Sequence, residues 1–410
     1  MAGRMDLMRI GLVTGEFPPM EGGVGAFTRE LARSLAAQGH KIHVITHRDA
    51  RPELPDGERY SLGQLREPVE TEFGWLHPRA GRWRWGDVGR IADIALRYDL
   101  NILNIQYQAA AYNMRSPAIN VAPWRLRGLA TTVVTYHDLR VPYLFPKAGR
   151  LRRFFVTMMA RLAHGAIVTN AEDYASLHLA EVEAQRLCQI PIGSNIAVHG
   201  VDADVQHVVR RKLSVRPTDF LLGYFGFLNE SKGADTLLRA MARLDDGVHL
   251  VFIGGKTGAS DTANNAAFVQ QLETLVEELG LSDRVHWTGF VPDELVSAHM
   301  AAADLMVLPY RDGVSLRRGT LMAALAHGRP IISTEPELPV HELQHGRNIW
   351  LAPKADHEAL ASAITRLREA PDLRKKLGQA AAQSAQQFTW ESIAADTVAF
   401  FARLHHERSE

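Results

Sequence analysis

The stretch RIGLVTGEFPPMEGGVGAFTRELARSLAAQGHKIHVIT, residues 9–46, decides the fold class. It begins with a short apolar run, residues 9–14, that is typical of a buried strand. A helical pattern follows from about Val24, with apolar residues at intervals of three and four, and Gly39 ends it as glycines do just past a helix. A second apolar run, residues 41–46, predicts the next strand. Strand, helix and strand in this order indicate a parallel α/β unit.

The alternation occurs twice along the 410 residues. Further strands are predicted at 101–106, 131–136 and 166–169 in the first series, and at 220–225, 248–253, 284–288, 304–309, 330–333 and 348–351 in the second. An aperiodic segment near residues 196–209 separates the two series. The sequence therefore predicts an N-terminal domain over 1–205, a C-terminal domain over 206–385, and a closing helix within 386–410. We expect two doubly wound, Rossmann-like α/β domains that face each other across a cleft.

Composition excludes several classes of function. Lys plus Arg and Asp plus Glu both number 46, so bulk charge does not favour nucleic acid. The single cysteine, Cys188, permits neither an intramolecular disulfide nor a zinc cluster. No apolar stretch reaches the ~20 residues of a membrane span, and the N-terminus does not resemble a signal peptide. We expect a cytoplasmic protein that uses no metal.

Two glycines, Gly22 and Gly23, precede the first predicted helix. Backbone N–H groups and the helix dipole at such a position favour an anion such as phosphate. The glycines do not follow the strand directly, so they are not the dinucleotide-binding fingerprint. A tight turn without a ligand explains the same glycines.

Two loops of the second series carry cations. Lys232 follows the strand at 220–225, where an ammonium group can neutralise a departing diphosphate; a solvated loop lysine is the alternative. Arg317 and Arg318 precede Gly319 and a predicted helix, and guanidinium groups pair well with phosphate oxygens. A surface ion pair is the ordinary explanation for two adjacent arginines.

Polar residues end two neighbouring strands of the first series. His137 and Asp138 follow the strand at 131–136, and Gln106 ends the strand before it. A histidine at a strand end can position a sugar hydroxyl or the reacting centre. A buried histidine bonded to the backbone is the alternative.

The triplet Asp202-Ala203-Asp204 matches a pattern with which some sugar transferases bind a metal ion. It lies in the segment between the two series rather than between strands. Helix capping is therefore the better interpretation.

Taken in order, these residues resemble glycosyltransferase family four, a large family of retaining enzymes with the GT-B fold. The similarity covers nearly the whole chain. The motifs that carry it are the Gly22-Gly23 loop, TYHD at 135–138, GFLNESKG at 226–233, TGFV at 288–291 and AALAHGRPII at 323–332.

The resemblance implies roles by position. Gly22 and Gly23 would approach the diphosphate of a nucleotide sugar, and Lys232 would bind the same diphosphate. His137 would lie beside the transferred sugar, and the last helix would cross back onto the first domain. No protein nucleophile is assigned, so positioning and electrostatics would carry the catalysis.

The donor site departs from the family pattern. Phe227 stands where the family has an arginine, and Ser315 and Ala323 stand where it has two glutamates. Our hypothesis is that Asp312 reaches the sugar instead, and that Arg317 or Arg318 replaces the missing arginine. The expected site residues are, for catalysis, His137, Lys232 and Asp312; for the diphosphate, Gly22, Gly23, Lys232, Arg317, Arg318 and Gly319; and for the donor sugar or the acceptor, Gln106, His137, Asp138 and Ser315.

The expected activity is that of a retaining hexosyltransferase, which moves a sugar from a nucleotide diphosphate carrier to an acceptor hydroxyl. The acceptor could be a sugar, a lipid or a small metabolite. Two alternatives stay open. A degenerate protein of the same fold would bind nucleotide sugars without turnover, and a sugar-nucleotide 2-epimerase would need no acceptor.

Residues 139–171 contain no Asp or Glu and suggest contact with an anionic membrane. The alternative, which is the simpler one, is that the apolar stripe packs on the first domain's sheet. The basic residues are Arg140, Lys147, Arg150, Arg152, Arg153 and Arg161; the apolar ones are Phe154, Phe155, Met158, Met159 and Leu162; and Arg79, Arg82, Trp83, Arg84 and Trp85 are candidate anchors.

Overall fold

The computed structural model describes residues 7–20, 22–54, 60–112, 116–139, 149–200, 203–255 and 262–409. The chain divides into two compact units. The first unit comprises Met1–Ile192 and Trp390–Glu410, and the second comprises Gly193–Thr389. The division falls before the predicted boundary at 205/206, and the last helix belongs to the first unit.

The first unit is an α/β sandwich. Its strands and helices are β1 Arg9–Thr14, α1 Gly23–Ala37, β2 Lys41–His47, β3 Val69–Thr71, β4 Gly74–Ala80, α2 Trp85–Arg97, β5 Ile102–Tyr107, α3 Ala118–Leu126, β6 Thr131–Tyr136, α4 Gly149–Leu162, β7 Gly165–Val168, α5 Ala171–Leu179 and β8 Leu187–Gln189. The chain returns to this unit with its last helix, α13, at Trp390–Ser409.

The sheet of the first unit has the strand order β3-β4-β2-β1-β5-β6-β7-β8. Its strands pair in parallel except for β3 with β4. Every residue of β5 and β6 is buried, as expected for strands that helices cover on both faces. Helices α1 and α13 cover one face, where a side chain at Gly165 would overlap Leu404.

The second unit repeats the architecture. Its elements are α6 Ala203–Lys212, β9 Phe220–Phe225, α7 Ala234–Met241, β10 Val248–Ile253, α8 Thr262–Glu278, β11 Val285–Trp287, α9 Asp293–Ala302, β12 Leu305–Leu308, α10 Gly319–Ala326, β13 Ile331–Thr334, β14 Trp350–Ala352, α11 His357–Glu369 and α12 Pro371–Ala385. The six strands are parallel in the order β11-β10-β9-β12-β13-β14.

The segment predicted to be aperiodic contains helix α6, so that prediction is wrong for residues 203–209. Only Val209 of α6 is buried, against Ala298 and Ala302 of α9. A helix with one buried position leaves almost no periodic signal. Asp204 lies in its first turn, which suits a carboxylate there, and Asp202 lies outside the described residues.

Candidate active site

Two loops of the second unit meet at the carboxyl edge of its sheet. Strands β9 and β12 are neighbours although β10 and β11 lie between them in the chain. The strand order changes direction at this pair, which is where open α/β sheets bind ligands. The loop after β9 carries Lys232, and the loop after β12 carries Asp312, Arg317 and Arg318.

Lys232 lies beside Gly226, the first residue after β9. Gly226 has a φ of 116°, and a Cβ there would lie 2.6 Å from Thr320 Cγ2 and 3.0 Å from Lys232 Nζ. Burial, together with the charge of Arg318, lowers the pKa of Lys232 to about 7. The lowered pKa means that the free protein disfavours the ammonium form. An anion that binds beside Lys232 would stabilise that form and raise the pKa again.

A third arginine, Arg311, joins the two loops. Its Nη1 donates to Glu230 at 2.7 Å and its Nη2 donates to Asp235 at 2.6 Å. The Arg311 backbone N–H also donates to Ser231 at 2.8 Å. The sequence interpretation missed this residue because both partners lie some eighty positions earlier in the chain.

Arg318 and Asp312 form an ion pair within the loop after β12. Arg318 Nη2 donates to both carboxylate oxygens, with an Nη2–Oδ2 distance of 2.5 Å. The Arg318 guanidinium carbon also lies 4.7 Å from the ring centroid of Tyr310. Arg317 Nη2 is farther from the same carboxylate, at 3.7 Å. The structure thus distinguishes two arginines that the sequence left equivalent.

Several enclosed polar atoms around this pair have no hydrogen-bond partner among the described residues. Among them are Tyr224 Oη, Ser315 Oγ and Arg318 Nε. Buried polar groups are nearly always paired, so such a group points to a ligand, an ion or water. Gly319, the first residue of α10, has open space where a side chain would be.

The first unit holds a chain of polar side chains that crosses from β6 to β5. His137 Nε2 and Gln106 Oε1 are 2.9 Å apart, and Gln106 Nε2 donates to Asn104 Oδ1. Asn104 Nδ2 donates to Thr135 Oγ1 at 2.9 Å. This network assigns the His137 proton to Nε2 and the ring lone pair to Nδ1.

His137 is neutral in this setting. The residue is only half-buried, yet enclosure of its ring lowers the pKa to about 3. Phe27 contacts the ring edge-on, with 4.6 Å between centroids. Asp138 is half-buried at the next position. A neutral imidazole with a fixed tautomer is suited to hydrogen bonding rather than to acid catalysis.

The predicted phosphate loop before α1 contains an internal anion. Glu16 Oε1 accepts from the backbone N–H of Val24 at 3.0 Å and of Gly25 at 3.3 Å. These are two of the donors that the sequence interpretation offered to a phosphate. Glu16 was not among the predicted residues. The first turn of α1 contains no acidic residue, and this absence could have indicated that an acid from elsewhere caps the helix.

An open pocket of about 350 Å³ lies at the carboxyl edge of the first unit's sheet. Gly15 follows β1, His47 ends β2, Arg82 follows β4 and Ala111 follows β5.

The apolar side of α4 packs into the core of the first unit, whereas the basic residues described on it are exposed. Met159 is fully buried, and Arg161 donates to Ala180 O and pairs with Glu181 at 3.1 Å. Phe155, Met158 and Leu162 are half-buried, whereas Arg153 and Phe154 are exposed. Arg140, Lys147 and the side chains of Arg150 and Arg152 lie outside what the structure describes.

The candidate membrane anchors near α2 differ in their exposure to solvent. Trp83 is buried against Tyr112, so it is not an interfacial anchor, whereas Trp85 is exposed. In the described part of the chain, no helix combines the length and apolar character that crossing a membrane requires.

Comparison with known proteins places these units among sugar transferases. Residues 21–197 match the profile of Glycosyltransferase Family 4, and residues 205–384 match that of Glycosyl transferases group 1. The chain is similar to the D-inositol 3-phosphate glycosyltransferase of Corynebacterium diphtheriae, with 30% identity over 95% of this chain and 93% of the relative.

Two further similarities cover both units. The GDP-mannose-dependent alpha-(1-6)-phosphatidylinositol monomannoside mannosyltransferase of Mycobacterium tuberculosis strain H37Rv is 23% identical, over 96% of this chain and 98% of the relative. The structure of Anabaena Alr3699/HepE in complex with UDP-glucose superposes with a TM-score of 0.73 and 19% identity, over 96% of this chain and 98% of that one.

The two parallel-sheet units have the GT-B fold. The protein is therefore an enzyme of the class that transfers a glycosyl group from a nucleotide sugar. The chain belongs to glycosyltransferase family 4.

Proposed function

We propose that the enzyme is a retaining hexosyltransferase whose donor diphosphate binds Lys232 and Arg318. The observation that carries the proposal is the concentration of cations beside enclosed, unpartnered polar atoms at the carboxyl edge of the second sheet. The two loops carry four cations, Lys232, Arg311, Arg317 and Arg318, against two carboxylates, Glu230 and Asp312. A diphosphate that leaves as an anion would be stabilised there as the glycosidic bond breaks.

In this proposal no metal ion neutralises the diphosphate, because Lys232 and Arg318 supply the charge. No three His, Cys, Asp or Glu side chains within the described ranges are grouped as ligands of one metal ion. Ser315 Oγ is an enclosed hydroxyl that a donor hydroxyl or phosphate oxygen could pair with. Asp312 would act through Arg318, which it holds.

His137 would position a sugar hydroxyl. With its Nε2 proton directed at Gln106, its Nδ1 is able to accept a hydrogen bond from that hydroxyl. The fixed tautomer excludes the opposite polarity without rearrangement of Gln106 and Asn104. Asp138 is the adjacent candidate for the acceptor.

The acceptor that we propose is a phosphorylated polyol. The two relatives described above are named for D-inositol 3-phosphate and for a phosphatidylinositol mannoside, and both names contain an inositol phosphate. The open pocket of the first unit is about 350 Å³ in volume and includes Arg82, whose charge suits a phosphate.

A donor and acceptor screen tests the proposal. UDP-, GDP- and ADP-sugars are compared by thermal shift, and the stabilising donor is then incubated with inositol phosphates, sugar phosphates and no acceptor. We expect a glycosylated phosphate whose anomeric configuration matches that of the donor. Binding without product would indicate a degenerate binding protein, and donor conversion without acceptor would indicate an epimerase.

A weaker observation concerns peripheral contact with an anionic membrane. Trp124 and Phe154 are 53% and 55% exposed on the contacting helices α3 and α4, and Arg125 and Arg153 are exposed beside them in sequence. Exposed aromatic and cationic side chains together suit the interface of an anionic bilayer. A lipid-linked inositol phosphate would then be within reach as acceptor.

A further inference from the structure

We infer that Glu16 is a positioning residue, whose carboxylate holds the loop at residues 17–20 on the first turn of α1 and leaves no room for a side chain at Gly22. The kinetic part of its test rests on the transferase activity proposed above. The contact itself does not.

Glu16 supplies the cap that α1 lacks locally. Gly22 stands at the N-cap position and has no side chain, and the first turn contains no acidic residue. The donors Val24 N and Gly25 N reach Glu16 Oε1 at 3.0 and 3.3 Å instead. A carboxylate at this position satisfies two unpaired N–H groups and complements the helix dipole.

The neighbours that a Cβ atom would meet at Gly22, Gly23 and Gly25 show which of these positions requires a glycine. Gly22 has an extended backbone, with a φ of 173°, that any residue adopts, so conformation does not require glycine there. A Cβ at Gly22 would overlap the Glu16 carboxylate, and one at Gly25 would lie 3.0 Å from Glu16 O. A Cβ at Gly23 would meet nothing within 4 Å.

The contact with Glu16 explains why residue 22 is a glycine without requiring the close approach of a phosphate. While the carboxylate occupies Val24 N and Gly25 N, those donors are not open to a second anion. A substitution at Gly22 should therefore act by displacing Glu16 and releasing the loop. The same substitution should do little once Glu16 has been removed.

A double-mutant cycle tests this dependence. Gly22→Ala is made in the wild-type protein and in Glu16→Ala. For each variant, kcat and KM for the donor are measured well below its melting range, and Tm is measured by thermal melting. We expect Gly22→Ala to lower kcat/KM about tenfold alone and less than about threefold in Glu16→Ala, as residues in contact are coupled. Glu16→Ala should mainly raise KM for the donor.

Three variants serve as controls. Glu16→Gln keeps an acceptor oxygen at the same reach and should retain kcat and KM, whereas the shorter Glu16→Asp should behave as Glu16→Ala does. Gly23→Ala enters open space and should show no coupling to Glu16.

Equal effects of Gly22→Ala in both backgrounds would overturn the inference, as would wild-type kcat and KM in Glu16→Ala. If the wild-type protein transfers no sugar, the proposed function fails by itself, and coupling in Tm between the two positions still decides the contact.

Discussion

Arg318 donates to both carboxylate oxygens of Asp312 through a single guanidinium nitrogen, Nη2. The residue assigned from sequence to the donor sugar is therefore bound to one assigned to the diphosphate. The pair fixes the direction of the guanidinium group while Nε stays enclosed and unpartnered within the described structure. Asp312 thus orients a cation instead of presenting a free carboxylate.

Arg318→Ala should weaken binding of the donor nucleotide about tenfold or more, because charge-assisted hydrogen bonds contribute about 1.5–3 kcal/mol. Arg317→Ala is the matched control. Its side chain is 7% exposed, so we expect a lower Tm with nearly unchanged affinity. Calorimetric titration of the nucleoside diphosphate into each variant measures this. Equal losses of affinity would show that the ion pair does not distinguish the two arginines.

Lys232→Ala should lower kcat by about a hundredfold, since loss of charge stabilisation in a transition state costs ~3 kcal/mol. Stability should not fall, because burial disfavours the ammonium in the folded protein and its removal relieves that cost. Steady-state kinetics and thermal melts separate the two effects, with Lys232→Met as the control that keeps the packing. Near wild-type turnover in both variants would remove Lys232 from the site.

Affinity for the nucleotide sugar should be constant below pH 7 and fall as the pH rises above it. The free protein holds Lys232 with a pKa of about 7, and the diphosphate binds the protonated form better. A nucleotide sugar is the right probe because it has no terminal phosphate that titrates nearby. Lys232→Arg keeps a permanent charge and should abolish the dependence. In Arg318→Ala the fall should begin at higher pH, because the Arg318 charge contributes to the low pKa.

Acid should destabilise the first unit through its buried histidines. Burial lowers the pKa of His43 to about 4 and of His77 to about 3, and their rings are bonded at 3.0 Å. The unfolded chain binds these protons from about pH 6.5 downwards and the folded chain does not, so stability is lost as pH falls from 6.5 towards 4.

Between pH 7 and 5 each histidine should cost up to about 2 kcal/mol of unfolding free energy. Urea denaturation at both pH values measures the loss, and His77→Gln should reduce it. His137 and His164 act in the same direction, so part of the loss should remain. A pH-independent midpoint would contradict the neutral histidine pair.

Anionic vesicles should bind the protein at low salt and release it at high salt. Each arginine near the surface contributes ~1 kcal/mol of attraction, which salt screens. The charge-reversal variant Arg153→Glu should weaken binding, and Phe154→Ser tests the apolar contribution. Sedimentation with neutral vesicles is the control. If the protein does not bind anionic vesicles at low salt, the membrane contact is refuted and the acceptor is a water-soluble molecule.

The sequence by itself determined the elements whose signal is local. The apolar runs of β1, β6, β9 and β10 and the periodicity of α1 specify buried strands and an amphipathic helix without reference to distant residues. Their order predicts the doubly wound class. Helix α6 was not predicted from the sequence because it buries a single residue, against a neighbouring helix.

Only the tertiary structure decided which predicted site residues act together. Arg317 and Arg318 are adjacent and chemically identical. Only the fold of the loop after β12 brings Arg318 onto both oxygens of Asp312 and onto the Tyr310 ring, while Arg317 stays 3.7 Å from the same carboxylate. Glu16 reaches α1 only through a fold of the chain that includes the turn at Phe17–Met20. Local periodicity is set by each residue's own neighbours in the chain, whereas the direction of a side chain and the charge it meets depend on packing between segments that the sequence does not juxtapose.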